Sequence, residues 1–210
     1  MDDGCIRVTA KDIRRQTILE IARTTFMEDG YAAASMSTIA ARLGGSKGTL
    51  YNYFASKEEL FRAVIEDQCE RKMALMFDGV ATNDDDVANG LRTLGARYTT
   101  MVLSDDVMTF TRMLVSEVLR FPALGQTMYE AGPREGVRRL SAYMEEQMQA
   151  GRLRSTDSRR AAEQFLELCL AGLYRPRLWN VIAPPSAKAI DDNIEAAVET
   201  FVAAFGARPA

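Results

Sequence analysis

From position 46 to 54 the chain reads Ser46-Lys47-Gly48-Thr49-Leu50-Tyr51-Asn52-Tyr53-Phe54, which gathers hydroxyls, an ammonium, an amide and two phenols around one glycine. These groups donate hydrogen bonds of the kind that meet phosphate oxygens and base edges. Ser46 follows the pair Gly44-Gly45 and can cap a helix by accepting a free backbone N–H. Leu50 and Phe54 lie four residues apart and share the inward face of that helix. Lys47, Gly48, Thr49, Tyr51 and Asn52 then face outward, with almost no bulk near the helix start. Such a helix fits a DNA major groove: Gly48 admits close approach, and Lys47, Thr49, Tyr51 and Tyr53 offer donors to phosphates. A plain surface helix is the competing reading, and the flanking residues weigh against it.

Upstream, Met36, Ile39, Ala40 and Leu43 form an apolar stripe at helical spacing before the Gly44-Gly45-Ser46 break. Helix, glycine turn, helix is the helix-turn-helix pattern. Ile18, Leu19, Ala22 and Phe26 make the core face of a longer helix ahead of it, capped by Thr9 with Asp12 and expected to stop at Asp29-Gly30. Downstream, Ser56 and Glu59 spell a capping box. It opens a helix whose apolar positions run to about Met76, long enough to leave one domain and enter the next.

The stretch from Arg14 to Gln68 resembles the N-terminal domain of the TetR (tetracycline-repressor) family of bacterial transcription regulators. The matching residues are Ile18-Leu19, Ala22, Phe26, Gly30-Tyr31, Ile39-Ala40, Leu43-Gly44, Ser46 to Tyr51, Tyr53-Phe54, Ser56-Lys57-Glu58 and Leu60. The resemblance implies DNA contacts from Ser46, Lys47, Gly48, Thr49, Tyr51, Asn52 and Tyr53. It adds phosphate contacts from Ser37 at the start of the second helix and Lys57 at the start of the fourth. Three positions depart from the family pattern: Ala34 stands where Thr is frequent, Ser37 where a charged residue is, and Gly45 where an apolar one fills the turn. Phe121 to Leu124 with Tyr129 to Pro133 resembles the C-terminal domain of an AefR/AcrR-like branch.

The 210 residues carry a net charge of −3, unexpected for a nucleic-acid binder. Residues 1–63 nevertheless sum to +1 and residues 64–210 to −4, so the acidity lies in the later part. Phosphate affinity must come from local placement of Lys47, Lys57, Arg14, Arg15 and Arg42. Histidine is absent, and Cys5, Cys69 and Cys169 lack metal-ligand spacing. That disfavours a zinc site and a His-assisted nucleophile, so neither metal nor cofactor is expected. Cys69 and Cys169 read as packed thiols and Cys5 as exposed. With no secretory h-region and no apolar run near the roughly 18 residues of a membrane span, the expected location is the cytoplasm.

The later residues repeat helical periodicity without strand-like alternation. Helices are expected at about 87–103, from Ser104 until Pro122 ends it, over 123–150 with a kink at Gly132-Pro133, and at about 159–181 and 187–205. Thr82 to Asp86 reads as a loop and helix start. The fold class is therefore all-α: a helix-turn-helix domain over residues 1–63, then a larger helical domain over 64–210. The resemblance implies that the last two helices form a homodimer bundle and that the later domain holds a small, hydrophobic ligand. Met101, Phe110, Met113, Leu114, Glu117, Tyr129 and Cys169 are the candidate ligand contacts. Glu117 and Arg112 read either as polar anchors or as a surface ion pair. The expected function is a dimeric repressor released from a palindromic operator by an inducer. The alternatives are a regulator without a ligand (activating or constitutive), and, from other classes, a helical enzyme or an interaction scaffold.

Overall fold

The computed structural model describes residues 9–79 and 86–207, so the expectations for Cys5 and for Thr82 to Asp85 lie outside the described residues. Helices α1 (Ala10–Ala33), α2 (Met36–Arg42), α3 (Lys47–Tyr51) and α4 (Lys57–Phe77) come first. Helices α5 (Val87–Leu103), α6 (Asp105–Glu117) and α7 (Pro122–Tyr129) follow, then a π-helical turn (Glu130–Arg134) and α8 (Glu135–Gln149). Helices α9 (Ser158–Leu170), α10 (Tyr174–Leu178) and α11 (Ala187–Phe205) complete the order. Among the described residues there is no strand, only an isolated bridge between Leu153 and Gly206. The fold is all-α.

Two compact units divide the chain, one of residues 1–68 and 113–128, the other of residues 69–112 and 129–210. The division passes through α4 and α6, so each of these helices contributes to both units. In the first unit Thr9 and Asp12 form the capping box that starts α1. Helix α1 does not stop at Gly30. That residue takes a φ of 77°, which glycine adopts without steric cost, and the helix resumes to Ala33 beyond the kink. Ile18, Leu19, Ala22 and Phe26 are buried, as are Ile39, Leu50, Leu60 and Phe61, and these form the apolar interior of the three-helix platform. Phe61 meets the rings of Phe26 and Tyr31 edge-on, each at 4.9 Å. Phe121, from the segment after α6, meets Tyr31 likewise at 4.9 Å. Pro122 opens α7 instead of ending a helix, a place where its missing N–H costs nothing.

In the second unit Met73, Leu91, Leu94, Leu140, Met144, Phe165, Ile194 and Phe201 form one buried core. Helices α5 and α11 begin at Val87 and Ala187, as the sequence periodicity predicts, behind the N-caps Asp86 and Ser186. Pro133 sits inside the π turn, where the wider winding accommodates a residue without an N–H. The helix expected over 159–181 is broken. Helix α9 ends at Leu170, Gly172 takes a φ of 74°, and α10 is a separate short helix. Arg177 on α10 is buried, donating to the Leu103 carbonyl and pairing with Asp105. Arg112 is no surface partner of Glu117: it donates to the carbonyls of Leu178 (2.8 Å) and Arg177 (2.5 Å). No helix among the described residues is long and apolar enough to cross a membrane.

Candidate nucleic-acid interface

Helix α3 is one short turn held from both ends. The Ser46 hydroxyl accepts the Thr49 N–H at 3.1 Å, closing the N-terminus. Leu50 is completely buried and Phe54 nearly so, which anchors the inner face. Burying a Leu or Phe side chain stabilises by about 1.5–3 kcal/mol each, enough to fix a helix too short to persist alone. What remains outward is Ser46, Lys47, Gly48, Tyr51 and Asn52, all exposed, with Thr49 and Tyr53 half-buried beside them. The Lys47 ammonium lies 5.8 Å from the Tyr51 ring centroid, a cation–π contact that keeps both side chains on one outward patch. Nothing but the Ser46 hydroxyl lies near the place a Gly48 side chain would take, so the backbone there is open.

Helix α2 starts at Ser35, whose hydroxyl accepts the Thr38 N–H at 3.1 Å, and Ser37 is exposed on its first turn. Gly44 makes the turn to α3 with a φ of 67°. At the start of α4 the Ser56 hydroxyl accepts the Glu59 N–H, but the Glu59 carboxylate accepts from Ala55 instead of Ser56. Lys57 is engaged within the protein. Its ammonium donates to the carbonyls of Tyr31 (2.9 Å) and Ala34 (3.1 Å), and lies 4.4 Å from the Tyr31 ring centroid. It caps the C-terminal end of α1, where a cation is favourable. The Tyr31 hydroxyl donates to Glu58, and burial pushes that phenol up to about 12.

The candidate ligand contacts fall in both units. Met113, Leu114 and Glu117 belong to the helix-turn-helix unit, where Leu114 is buried and the Glu117 carboxylate accepts the Ala32 N–H at 3.1 Å. Glu117 therefore serves the end of α1. Met101 and Phe110, both half-buried, and Tyr129, 55% exposed, belong to the larger unit. Cys169 is buried there against Phe165 and Ile194, and its carbonyl accepts from Thr99 and Asn193. Burial pushes its thiol up to about 12.

A family model described as the C-terminal domain of AefR-like transcriptional repressors matches residues 89–207, more than half of the chain. This chain belongs to the TetR family. A second model, of the family's N-terminal regulatory domain, matches residues 18–64 and so contains α2, α3 and the start of α4. Among solved structures, the flavonoid-responsive regulator FrrA is 31% identical, with a TM-score of 0.80 over 94% of this chain and 99% of its own. A TetR-family regulator from Mesorhizobium loti is 22% identical, with a TM-score of 0.86 over the same 94%, and shows the same fold. Among curated relatives, the regulator YfiR of Bacillus subtilis is 34% identical over 91 residues. That match spans 39% of this chain and 44% of the relative. The repressor AcnR of Corynebacterium diphtheriae is 38% identical over 75 residues, 37% of its length. As a TetR-family protein the chain is a transcriptional regulator and not an enzyme.

Sequence reasoning missed Arg177 and misjudged Arg112. Arg177 serves the last carbonyl of α5 and Arg112 two carbonyls of α10, contacts between segments more than sixty residues apart that carry no local cue.

Proposed function

We propose that the chain is a ligand-responsive repressor that binds a palindromic operator as a homodimer and leaves it when a small molecule binds. The observation that carries this reading is α3: Leu50 and Phe54 hold it from inside, while Lys47, Gly48, Tyr51 and Asn52 face out. On this reading residues 1–63 are the DNA-binding domain and 64–210 the ligand-binding and dimerisation domain. Ser37, Ser46, Lys47, Gly48, Thr49, Tyr51, Asn52 and Tyr53 contact the duplex, and Lys57 holds their platform. Two recognition helices about 34–36 Å apart are needed to read successive major grooves, which favours a dimer through α9 and α11. The description of the family model supports repression as its sign. The name of FrrA supports an aromatic inducer in the larger domain, with Met101 and Phe110 among its contacts. Its place of action is the cytoplasm.

A fluorescence-anisotropy titration tests this on duplexes from the promoter upstream of the chain's own coding sequence, at two salt concentrations. Binding should weaken steeply with salt, and small molecules extracted from the purified protein should release the duplex. Binding indifferent to salt, or no binding, would overturn the reading. Transcription from that promoter should fall when the protein is added. A rise would favour activation, the role in the name of FasR, a regulator 37% identical over 75 residues.

A further inference from the structure

We propose that Arg14 is a further duplex-contacting residue of this interface, and that the bare backbone of Gly45 makes room for it. The inference rests on the DNA-binding reading of α3. Gly45 lies in the turn between α2 and α3, directly before the cap residue Ser46. A Cβ on Gly45 would stand 3.4 Å from the Nη2 atom of Arg14 and 3.9 Å from Leu43 Cδ2. The guanidinium, reaching from the first turns of α1, thus borders the space that a larger side chain at position 45 would fill.

Among the described residues the Arg14 guanidinium also has no acceptor. Its side chain is half-buried, yet no hydrogen bond or ion pair reaches it from any described residue. Its neighbours differ. Arg42 is bound to Glu28 at 2.6 Å and Asp29 at 3.3 Å, and Lys57 is occupied by the carbonyls of α1. Lys47, among the described residues, has only the Tyr51 ring as a partner. No buried side-chain nitrogen lacks a partner among the described residues, so the donors of this guanidinium are open to solvent and to an incoming phosphate, and it offers five of them in a fixed fork. A phosphate accepts two of them at once, a geometry that an ammonium cannot reproduce. Arg14 and Lys47 would then bracket the start of α3 with two phosphate-directed cations, while Arg42 and Lys57 act inside the protein.

The test uses the full chain and a random-sequence duplex of roughly 30 base pairs, long enough to hold a non-specific complex without knowledge of the operator. Anisotropy titrations across a salt series give the slope of log K against log salt, to which each neutralised phosphate contributes about 0.9. Arg14→Gln removes one phosphate contact from each protomer of the dimer, so the slope should become shallower by about 1.8 and binding weaken about sixtyfold at 0.1 M salt, with thermal unfolding unchanged. Arg14→Lys should restore the slope. Gly45→Leu, with Arg14 intact, should lose slope in the same way, and the double variant should lose no more than either alone. Wild-type binding with an unchanged slope in Arg14→Gln would overturn the proposal and leave the recognition-helix reading standing. Failure of the wild type to bind any duplex would overturn that reading, and this proposal with it.

Discussion

Replacing Lys57 with Met keeps most of the side-chain stem and deletes the ammonium, which separates two roles the residue could have. The ammonium donates to the Tyr31 and Ala34 carbonyls at 2.9 and 3.1 Å, and lies 4.4 Å from the Tyr31 ring centroid. A hydrogen bond to a charged group contributes about 1.5–3 kcal/mol. A cation–π contact adds about 0.5–2 kcal/mol. One ammonium shares these contacts and is only half-buried, so the sum must be discounted to about 2–3 kcal/mol. That is a large part of the roughly 5–15 kcal/mol by which a domain is stable. Urea unfolding followed by circular dichroism should show this loss for Lys57→Met. The salt slope for duplex binding, measured where the variant is still folded, should stay as in the wild type. A slope shallower by about 1.8, one phosphate for each protomer, with stability intact would refute the argument, because the ammonium would then be serving phosphate and not α1.

Within α3 the two faces should respond oppositely: Leu50→Ala, at a completely buried site, should cost about 2–5 kcal/mol in urea unfolding. Tyr51→Ala, at a site 44% exposed, should leave stability within about 0.5 kcal/mol yet abolish operator binding by gel shift. Arg177→Met should leave the Leu103 carbonyl without its donor and cost about 1–3 kcal/mol, read as a lower unfolding midpoint. Burial pushes the Cys69 thiol up to about 11 and the Cys169 thiol up to about 12. An unfolded thiol titrates near about 8.5, so deprotonation favours the unfolded chain; this contribution to stability is full below about pH 8 and fades as pH rises towards 11. Iodoacetamide at pH 8 should therefore leave both thiols unmodified until urea unfolds the chain, as read by peptide mass mapping.

Much of the helix plan was legible because caps and periodicity agreed. Thr9 with Asp12 and the acidic run ending at Asp86 stand just ahead of apolar stripes, and α1 and α5 begin there. The outward face of α3 was readable for the same reason, since only Leu50 and Phe54 can point inward. Interactions between distant segments were not legible. Nothing local announces that Lys57 will cap a helix ending more than twenty residues earlier, or that Glu117 will accept the Ala32 N–H. Gly30 and Pro122 misled in opposite directions. A single glycine kinked α1 without ending it, and the proline opened α7 because its fixed φ suits a first turn. The apolar run of α9 looked continuous past Leu170, and Gly172 carried more weight than the hydrophobic pattern around it.

The claim on which the account turns is that the exposed face of α3 reads a duplex. Selection from a random-duplex library, with the wild type and Tyr51→Ala run in parallel, tests it most directly. The wild type should enrich an inverted repeat with half-sites about one helical turn apart or a multiple of it, and Tyr51→Ala should enrich nothing. Recovery of the same motif by both proteins would contradict the account.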